Sequence, residues 1–106
     1  MDLFDIYIAY IPWKSGGKTR PILVLGADKS FIYAYSITTK YDNKSDEIKA
    51  NYFKINDWKQ AGLNKESYID TNGKEAPKIP RSVIKTSPIG KLSENDKMRF
   101  LEFLSI

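Results

Sequence analysis

The sequence predicts a small, mainly β protein with short helices, and three observations lead to this fold class. Most apolar residues lie in short runs, rich in β-branched and aromatic side chains, that end at proline, glycine or polar turns as strands do. The last residues instead carry apolar side chains at helical spacing. No repeat and no linker divides the 106 residues, so we expect a single domain over residues 1–106, a small β-barrel with a C-terminal α-helix.

The predicted strands follow from the apolar runs and their boundaries. The clearest is residues 21–26, where an uninterrupted aliphatic run lies between Pro21 and Gly26. Pro12 is expected to end the first strand and to leave a loop over residues 13–19, and the polar composition of residues 40–49 predicts another loop. The full set of predicted strands comprises residues 5–11, 21–26, 31–39, 51–55, 67–71 and 81–85, with a turn at Asn72-Gly73.

Two helical segments are predicted from the residues at their ends. Ser93 suits an N-cap and Asp96 follows three residues later, which predicts a helix over residues 94–104. A shorter helical turn should begin at Asp57 and end at Gly62. The side chains expected to pack the C-terminal helix on the sheet are Met98, Leu101 and Leu104.

Composition excludes several classes of site. The chain has no cysteine and no histidine, so disulfides, thiolate metal sites and the commonest general base are absent. Zinc and iron are disfavoured, whereas a carboxylate-held Mg²⁺ stays possible. No apolar stretch approaches the roughly 20 residues of a membrane span, and the N-terminus lacks signal-peptide features, which predicts a cytoplasmic location. The excess of 17 Lys and Arg over 13 Asp and Glu, a net charge of +4, favours polyanionic partners.

Arg20 is the most informative charged residue. It lies at the mouth of the predicted strand 21–26, follows Lys18 and precedes Pro21. A guanidinium held there by a rigid scaffold suits a phosphate-bearing ligand. The alternative is that Arg20 is an ordinary solvated charge before a strand.

Gly17-Lys18-Thr19 superficially matches the end of a nucleotide-binding P-loop. That motif needs a glycine where this chain has Pro12, and it needs a helix directly afterwards. Here Pro21 and an apolar strand follow. Nucleotide hydrolysis through a P-loop is therefore rejected.

The order of short motifs along the chain adds a family resemblance. The motifs are Asp5-Ile6-Tyr7, a glycine-rich loop leading to Lys18-Thr19-Arg20-Pro21, Ser36-Ile37-Thr38-Thr39-Lys40, Trp58 with Ala61-Gly62-Leu63, Ser67-Tyr68-Ile69, and Ile89-Gly90-Lys91-Leu92-Ser93-Glu94. Together they span nearly the whole chain. In this order they resemble the MazF/PemK family of toxin endoribonucleases from type II toxin–antitoxin pairs.

The resemblance implies an SH3-like barrel of the MazF/Kid/CcdB plasmid-maintenance toxin type, assembled as a homodimer. It implies an enzyme that cuts single-stranded RNA at preferred sequences without metal or cofactor, as an mRNA interferase. The catalytic pair that carries over is Arg20 and Thr38. Attack of the ribose 2′-hydroxyl on phosphorus leaves a 2′,3′-cyclic phosphate and a 5′-hydroxyl, and both side chains can donate hydrogen bonds to the charge that develops.

An RNA-binding groove is expected around this pair. Lys18 and Lys40 are predicted to hold phosphates, and Trp13 or Tyr41 to stack on unpaired bases. Packing at a strand end is the alternative for Trp13, and simple solvation is the alternative for Lys40. Three further polar residues complete the predicted RNA-binding set, namely Thr19, Thr39 and Ser67.

The expected protein partner is an acidic antitoxin, partly disordered alone, that folds a segment across the groove. Two other functions stay open on the same fold. One is a toxin that binds a protein target without cutting RNA, as the gyrase-poisoning relatives do. The other is an inactive or generic SH3-like binding module. Arg20 and Thr38 favour the nuclease, since a protein-binding toxin has no need of that pair.

Overall fold

The structure, a computed structural model, describes residues 1–72 and 75–105, and of Trp13 it describes the backbone. The strands are β1 (Asp5–Trp13), β2 (Gly16–Ala27), β3 (Phe31–Thr38), β4 (Tyr52–Ile55), β5 (Ser67–Asp70), β6 (Lys78–Pro80) and β7 (Gly90–Lys91). The α-helices are α1 (Asp46–Lys49) and α2 (Glu94–Leu104), and a 3₁₀-helix covers Arg81–Val83. The mainly β class with a C-terminal helix is confirmed.

The seven strands form one antiparallel sheet that curls into half of a barrel. Six of them follow the order β4-β5-β3-β2-β1-β7. β3 lies at the centre and has two partners on one side, because its first residues pair with β6 and its last two pair with β5. Its other side pairs with β2. The two strands that the sequence singles out for function are therefore the two central strands.

Each face of the sheet carries its own apolar core, because successive residues of a strand point to opposite faces. In β2, Leu23 belongs to one core while its neighbours Ile22 and Val24 belong to the other. The larger core lies between the sheet and α2, where Phe100 is fully buried. Ile79 of β6 belongs to the second core. A sheet that is packed on both faces is a rigid support for side chains at its open end.

The hairpin of β1 and β2 is longer than the sequence predicts. β1 continues through Pro12, so the predicted loop over residues 13–19 is replaced by the end of β1, a turn at residues 14–15 and the start of β2. In the described part of the chain, β1 pairs with β7 only at Asp5 and Ile6. The rest of its outer side is a sheet edge, where a residue without an N–H is tolerated.

The predicted strand over residues 81–85 is wrong. The strand in this region is β6, three residues earlier, and the chain then enters the 3₁₀-helix. Two hydrogen bonds hold Arg81 to the turn before β3: its backbone N–H donates to the Ser30 carbonyl (2.8 Å) and its Nη1 donates to the Asp28 carbonyl (2.7 Å). These contacts between distant residues, which no local pattern reveals, turn the chain away from the sheet.

The predicted loop over residues 40–49 contains a short helix, and the predicted turn at Asn72 is held by a side-chain hydrogen bond. Ser45 caps α1 by accepting from the Ile48 N–H (3.3 Å), within the predicted loop over residues 40–49. At the predicted turn, the Asn72 N–H donates to Asp70 Oδ1 (2.9 Å). Gly73, the second residue of that turn, lies outside the described residues.

α2 begins and ends where the sequence predicts, but it is rotated. Ser93 caps it by accepting from the Asp96 N–H (3.1 Å). Of the predicted packing stripe, Met98 and Leu101 are instead exposed, by 69% and 48%. Phe100 faces the core in their place. The prediction is therefore wrong for Met98 and Leu101, whereas Leu104 does pack against the core.

A buried carboxylate explains the rotation. Asp96 is fully buried, and its oxygens accept from the backbone N–H groups of Asn56 (3.3 Å) and Asp57 (2.8 Å) and from Arg99 Nη1 (2.7 Å). Asp57 in turn accepts from the Ser93 hydroxyl (2.6 Å) through its own carboxylate, rather than capping the turn that it begins. These polar bonds decide which side of α2 faces the sheet.

The turn after Asp57 ends at Gly62 as predicted, and it lies directly on the backbone before β7. Gly62 has a φ of +88°, a conformation that glycine adopts without strain. A Cβ at Gly62 would collide with the Ile89 carbonyl, and a Cβ at Gly90 would collide with the Ala61 carbonyl. This glycine-to-backbone contact fixes one wall of the pocket described below.

Asp96→Asn should lower the free energy of unfolding by about 3–5 kcal/mol, because it leaves buried N–H groups and Arg99 without their carboxylate. Glu94→Gln is the matched control, since Glu94 is an exposed acid of the same helix with a long ion pair to Lys97 (3.7 Å), and it should change stability by less than about 1 kcal/mol. Urea denaturation of the three proteins measures both values. Equal stability of Asp96→Asn and the parent chain would contradict the anchoring role.

Candidate active site

The central feature of the sheet is a gap between β2 and β3. The two strands pair from the turn that joins them as far as Ile22 and Ser36, and then they separate. Pro21 is the next residue of β2 and has no N–H to donate to β3, so the ladder ends beside it. The gap forms a cleft of about 170 Å³, which we call the Arg20 cleft. Its lining consists of Lys18, Thr19, Arg20, Pro21, Ile37, Thr38, Thr39 and Lys40.

Arg20 and Thr38 lie on opposite sides of this cleft. Each is two residues beyond the end of the pairing between β2 and β3, at Ile22 in β2 and Ser36 in β3. Positions opposite each other on neighbouring strands point to the same face of a sheet. Both side chains are half-buried. The structure thus brings together the two residues to which the family resemblance gives a catalytic role.

The guanidinium of Arg20 is incompletely paired. Its Nε is buried and has no hydrogen-bond partner among the described residues. An unpaired buried polar group costs about 1–3 kcal/mol, which is why such groups are rare. Pro21 also restricts Arg20 to an extended backbone, so the side chain starts from a defined direction. A ligand oxygen that accepts from Nε offsets this cost, and the cleft therefore favours an acceptor.

The hydroxyl of Thr38 is oriented by the turn that ends β3. Its Oγ1 accepts a hydrogen bond from the Lys40 backbone N–H (3.1 Å). Because this bond uses a lone pair of the oxygen, the hydroxyl proton stays available for donation. Thr38 can therefore donate a hydrogen bond to the same anionic group of a ligand that Arg20 contacts.

Four further predicted RNA-binding residues line the same cleft, namely Lys18, Thr19, Thr39 and Lys40. The two lysines are exposed, so each contributes a solvated positive charge at the rim. The described lining contains positive charges and hydroxyls and no carboxylate. Its electrostatic potential therefore favours an anion.

Ser67, the remaining predicted polar contact, lies in a second pocket that adjoins the first. This pocket of about 220 Å³, which we call the Ser67 pocket, shares Pro21 and Thr39 with the Arg20 cleft. Its lining consists of Ile8, Pro21, Thr39, Gly62, Leu63, Asn64, Lys65, Ser67 and Ile89. Ser67 thus belongs to the neighbourhood of the predicted pair without lining its cleft.

Trp13 is placed away from the cleft by its backbone. It pairs with Gly16 at the tip of the hairpin, whereas Arg20 pairs with Ala9 four residues back along β1, or about 13 Å along the strand. The side chain of Trp13 lies outside the described part of the chain. Stacking of a base on Trp13 stays a prediction.

Tyrosines form the wall beyond Thr38. Tyr68 is the residue of β5 paired with Thr38, and Tyr41 stacks on it with ring centroids 4.3 Å apart and planes at 8°. The ammonium group of Lys49 lies over Tyr41, 4.9 Å from the ring centroid. Tyr68 already occupies one face of Tyr41 and Lys49 lies over its ring, so a base that stacks on Tyr41 competes with these groups. The Tyr41–Tyr68 stack instead holds the segment after Thr38 against β5.

The Tyr68 phenol is a donor and not a base at neutral pH. Burial, followed by a hydrogen bond to Glu66 Oε1 (2.9 Å), raises the pKa of Tyr68 to about 12. Burial also raises the pKa of Tyr52, and the positive charge of Arg20 opposes that rise. Tyr52 adjoins the tyrosine wall, since its ring centroid lies 6.2 Å from that of Tyr41.

Sequence reasoning missed Tyr68, Asn64 and Lys65 as neighbours of the predicted pair. They follow one another closely in the chain, but they meet Thr38 and Thr39 only because β5 pairs with the end of β3. A pairing between strands so far apart in sequence leaves no local signal. The one accessible hint is that Tyr68 follows the predicted site residue Ser67.

Comparisons with models of protein families and with curated protein sequences find no match for this chain. Over residues 1–72 and 75–105, no three acidic side chains are grouped so that they could hold a metal ion. Within the same part of the chain, no helix has both the length and the apolar character needed to span a membrane. The function therefore has to follow from the chemistry of the clefts and from the resemblance of the motifs.

Tyr41→Ala should lower the free energy of unfolding by about 0.5–1.5 kcal/mol and should speed hydrogen exchange of the Lys40 amide, because the stack that holds this segment is lost. Tyr41→Phe keeps the ring and should preserve both properties. Urea denaturation and amide exchange followed by NMR measure the two effects. If exchange at Lys40 is the same in Tyr41→Ala and the parent chain, the stack does not order the turn.

Proposed function

We propose that this chain is the toxin of a type II toxin–antitoxin pair, an endoribonuclease that cuts single-stranded RNA without a metal ion. One observation carries the proposal: Arg20, with a buried and unpaired Nε, lies across a cleft from Thr38 in a lining that is rich in positive charge. Cations and hydroxyls bind phosphate, whereas the carboxylates that usually hold Mg²⁺ at such sites are missing from this lining. The finer fold assignment, an SH3-like barrel of the MazF/Kid type, belongs to the same proposal.

In the proposed reaction the ribose 2′-hydroxyl attacks the adjacent phosphorus and the 5′-oxygen of the next nucleotide leaves. The pentacoordinate phosphorus species concentrates negative charge on its non-bridging oxygens. Arg20 donates two hydrogen bonds to them, one of these from the unpaired Nε, and Thr38 donates a third. DNA lacks the attacking hydroxyl, so RNA is the substrate.

Arg20 acts through charge and position. A guanidinium stays protonated in proteins, so Arg20 is not a general base. We assign the 2′-hydroxyl proton to solvent, which also supplies the proton that the leaving 5′-oxygen takes up. Removing a donor from a site of this kind typically costs about 100-fold to 1,000-fold in rate. The lysines at the rim then hold the flanking phosphates.

The same cleft supports the proposed antitoxin. Because its lining offers donors and positive charge, it accepts a carboxylate as readily as a phosphate. An acidic segment laid over Arg20 would compete directly with RNA, which is the simplest way to inhibit the enzyme. The net charge of +4 also favours such a partner. The proposed homodimer rests on the family resemblance.

Arg20→Ala should reduce cleavage of a long, unstructured RNA by about 100-fold or more in the presence of EDTA, while leaving the chain folded, because the lost group has no partner on Nε. The matched control is Lys29→Ala, which removes a positive charge from an exposed site outside the cleft. End mapping should show cyclic-phosphate and 5′-hydroxyl ends for the parent chain and the control. Intact RNA beside a folded parent chain would favour a toxin that binds a protein target.

Thr38→Val should lower kcat by about tenfold or more with little change in KM, because the hydroxyl donates mainly to charge that develops during the reaction. Thr38→Ser is the matched variant, since it keeps both the donor and the acceptor for the Lys40 N–H. Single-turnover cleavage of a short RNA, measured over a range of enzyme concentrations up to saturation, separates the two parameters. Unchanged turnover in Thr38→Val would remove Thr38 from the reaction.

A further inference from the structure

We propose that the Ser67 pocket binds one unstacked nucleobase, the base next to the phosphate held in the Arg20 cleft. The inference rests on the proposed function in taking RNA as the ligand. The two cavities meet at Pro21 and Thr39, which line both of them. A nucleotide whose phosphate contacts Arg20 can therefore place its base in the pocket without crossing open solvent.

The walls of the pocket suit the flat, apolar faces of a base. Ile8, Leu63 and Ile89 contribute aliphatic surface, and Pro21 adds its ring. Ile89 is exposed, so part of this apolar surface lies open to water. Single-stranded RNA is read by bases that leave the stack and enter such pockets, where their edges form hydrogen bonds.

Ser67 gives the pocket a defined polarity. Its side chain is only 2% exposed, and its hydroxyl donates to the Lys65 carbonyl (2.8 Å). Because the hydroxyl proton is already used, Ser67 Oγ can only accept from a ligand. The N–H groups on the Watson–Crick edges of bases are donors that match it. An aliphatic side chain from a protein partner would leave this acceptor unpaired, which favours a base as the occupant.

The rim adds selective contacts. Asn64 is exposed at the pocket and its amide group can both donate and accept, as reading a base edge requires. Lys65 contributes a positive charge between this pocket and the tyrosine wall. These side chains surround an apolar floor with groups that complement a nucleotide.

The pocket is formed in advance of binding. Its far wall is the turn that ends at Gly62, which lies on the Ile89 carbonyl so closely that neither Gly62 nor Gly90 has room for a Cβ. Leu63 is buried directly after this turn. A wall fixed by backbone contact loses little entropy when a ligand enters, which favours binding of even a single base.

The test uses ligands that cannot be cleaved: the four ribonucleoside 3′-monophosphates, with ribose 5-phosphate as the probe without a base. Each is titrated into the full chain and followed by amide NMR. We expect ribose 5-phosphate to shift the amides around Arg20 and Thr38, and the nucleotides to shift in addition those of Leu63, Asn64 and Ser67. Shifts confined to the Arg20 cleft, or no binding of any nucleotide, would overturn the inference.

Asn64→Ala should weaken the best-binding nucleotide by about five- to tenfold and leave ribose 5-phosphate unchanged, because it removes a contact to the base edge only. Asn95→Ala, which removes an exposed amide from α2, is the matched control and should change neither. Asn64 is exposed, so its variant tests the pocket without disturbing the core. Equal binding by Asn64→Ala and the parent chain would count against base recognition at this rim.

Ser67→Ala tests the acceptor. The best nucleotide methylated at its Watson–Crick N–H should bind the parent chain about tenfold more weakly than the unmodified one, and the difference should vanish in folded Ser67→Ala. A difference that persists in Ser67→Ala would overturn the role of the Ser67 oxygen.

If RNA stays uncut while nucleotides shift the pocket amides, the proposed nuclease is wrong and the base pocket stands. If RNA is cut but the pocket amides do not respond, the base pocket is wrong and the proposed nuclease stands.

Discussion

The site depends on one missing hydrogen-bond donor. Pro21 has no N–H, so the ladder between β2 and β3 ends at Ile22 and Ser36, while β3 stays paired with β5 on its other side. In the middle of a sheet such a break is normally a defect. Here the gap is the Arg20 cleft, and the proline that opens it also restrains the arginine beside it.

An open gap in a sheet keeps its shape only if the protein structure around it is rigid. Apolar cores on both faces hold the paired part of β2 and β3, and the Tyr41–Tyr68 stack holds the segment after Thr38. Farther away, the buried Asp96 carboxylate ties α2 to the turn at Asp57. These contacts allow Arg20 Nε to stay unpaired, because the chain around it cannot collapse to satisfy it.

Local signals in the sequence predict local structure here. Ser93 and Gly62 mark the ends of their elements correctly, and the aliphatic run after Pro21 is a buried strand. Predictions fail where distant contacts decide. Arg81 leaves the sheet because it bonds to Ser30 and Asp28, and a buried Asp96 rotates α2 away from its more obvious apolar stripe. The pocket around Ser67 has no local signal at all, since its walls come from five separate segments of the chain.

Donors alone do not explain selectivity. The Arg20 cleft offers N–H, O–H and positive charge, so RNA phosphate and the carboxylates of an acidic partner satisfy it equally well. Discrimination between them needs a group of opposite polarity nearby. Ser67 is such a group, because its proton is committed to the Lys65 carbonyl and its oxygen can only accept. A base can donate to that acceptor whereas a carboxylate cannot, so under the proposed function the neighbouring pocket, rather than the arginine, is the part of this surface that distinguishes a nucleic acid from an acidic protein segment.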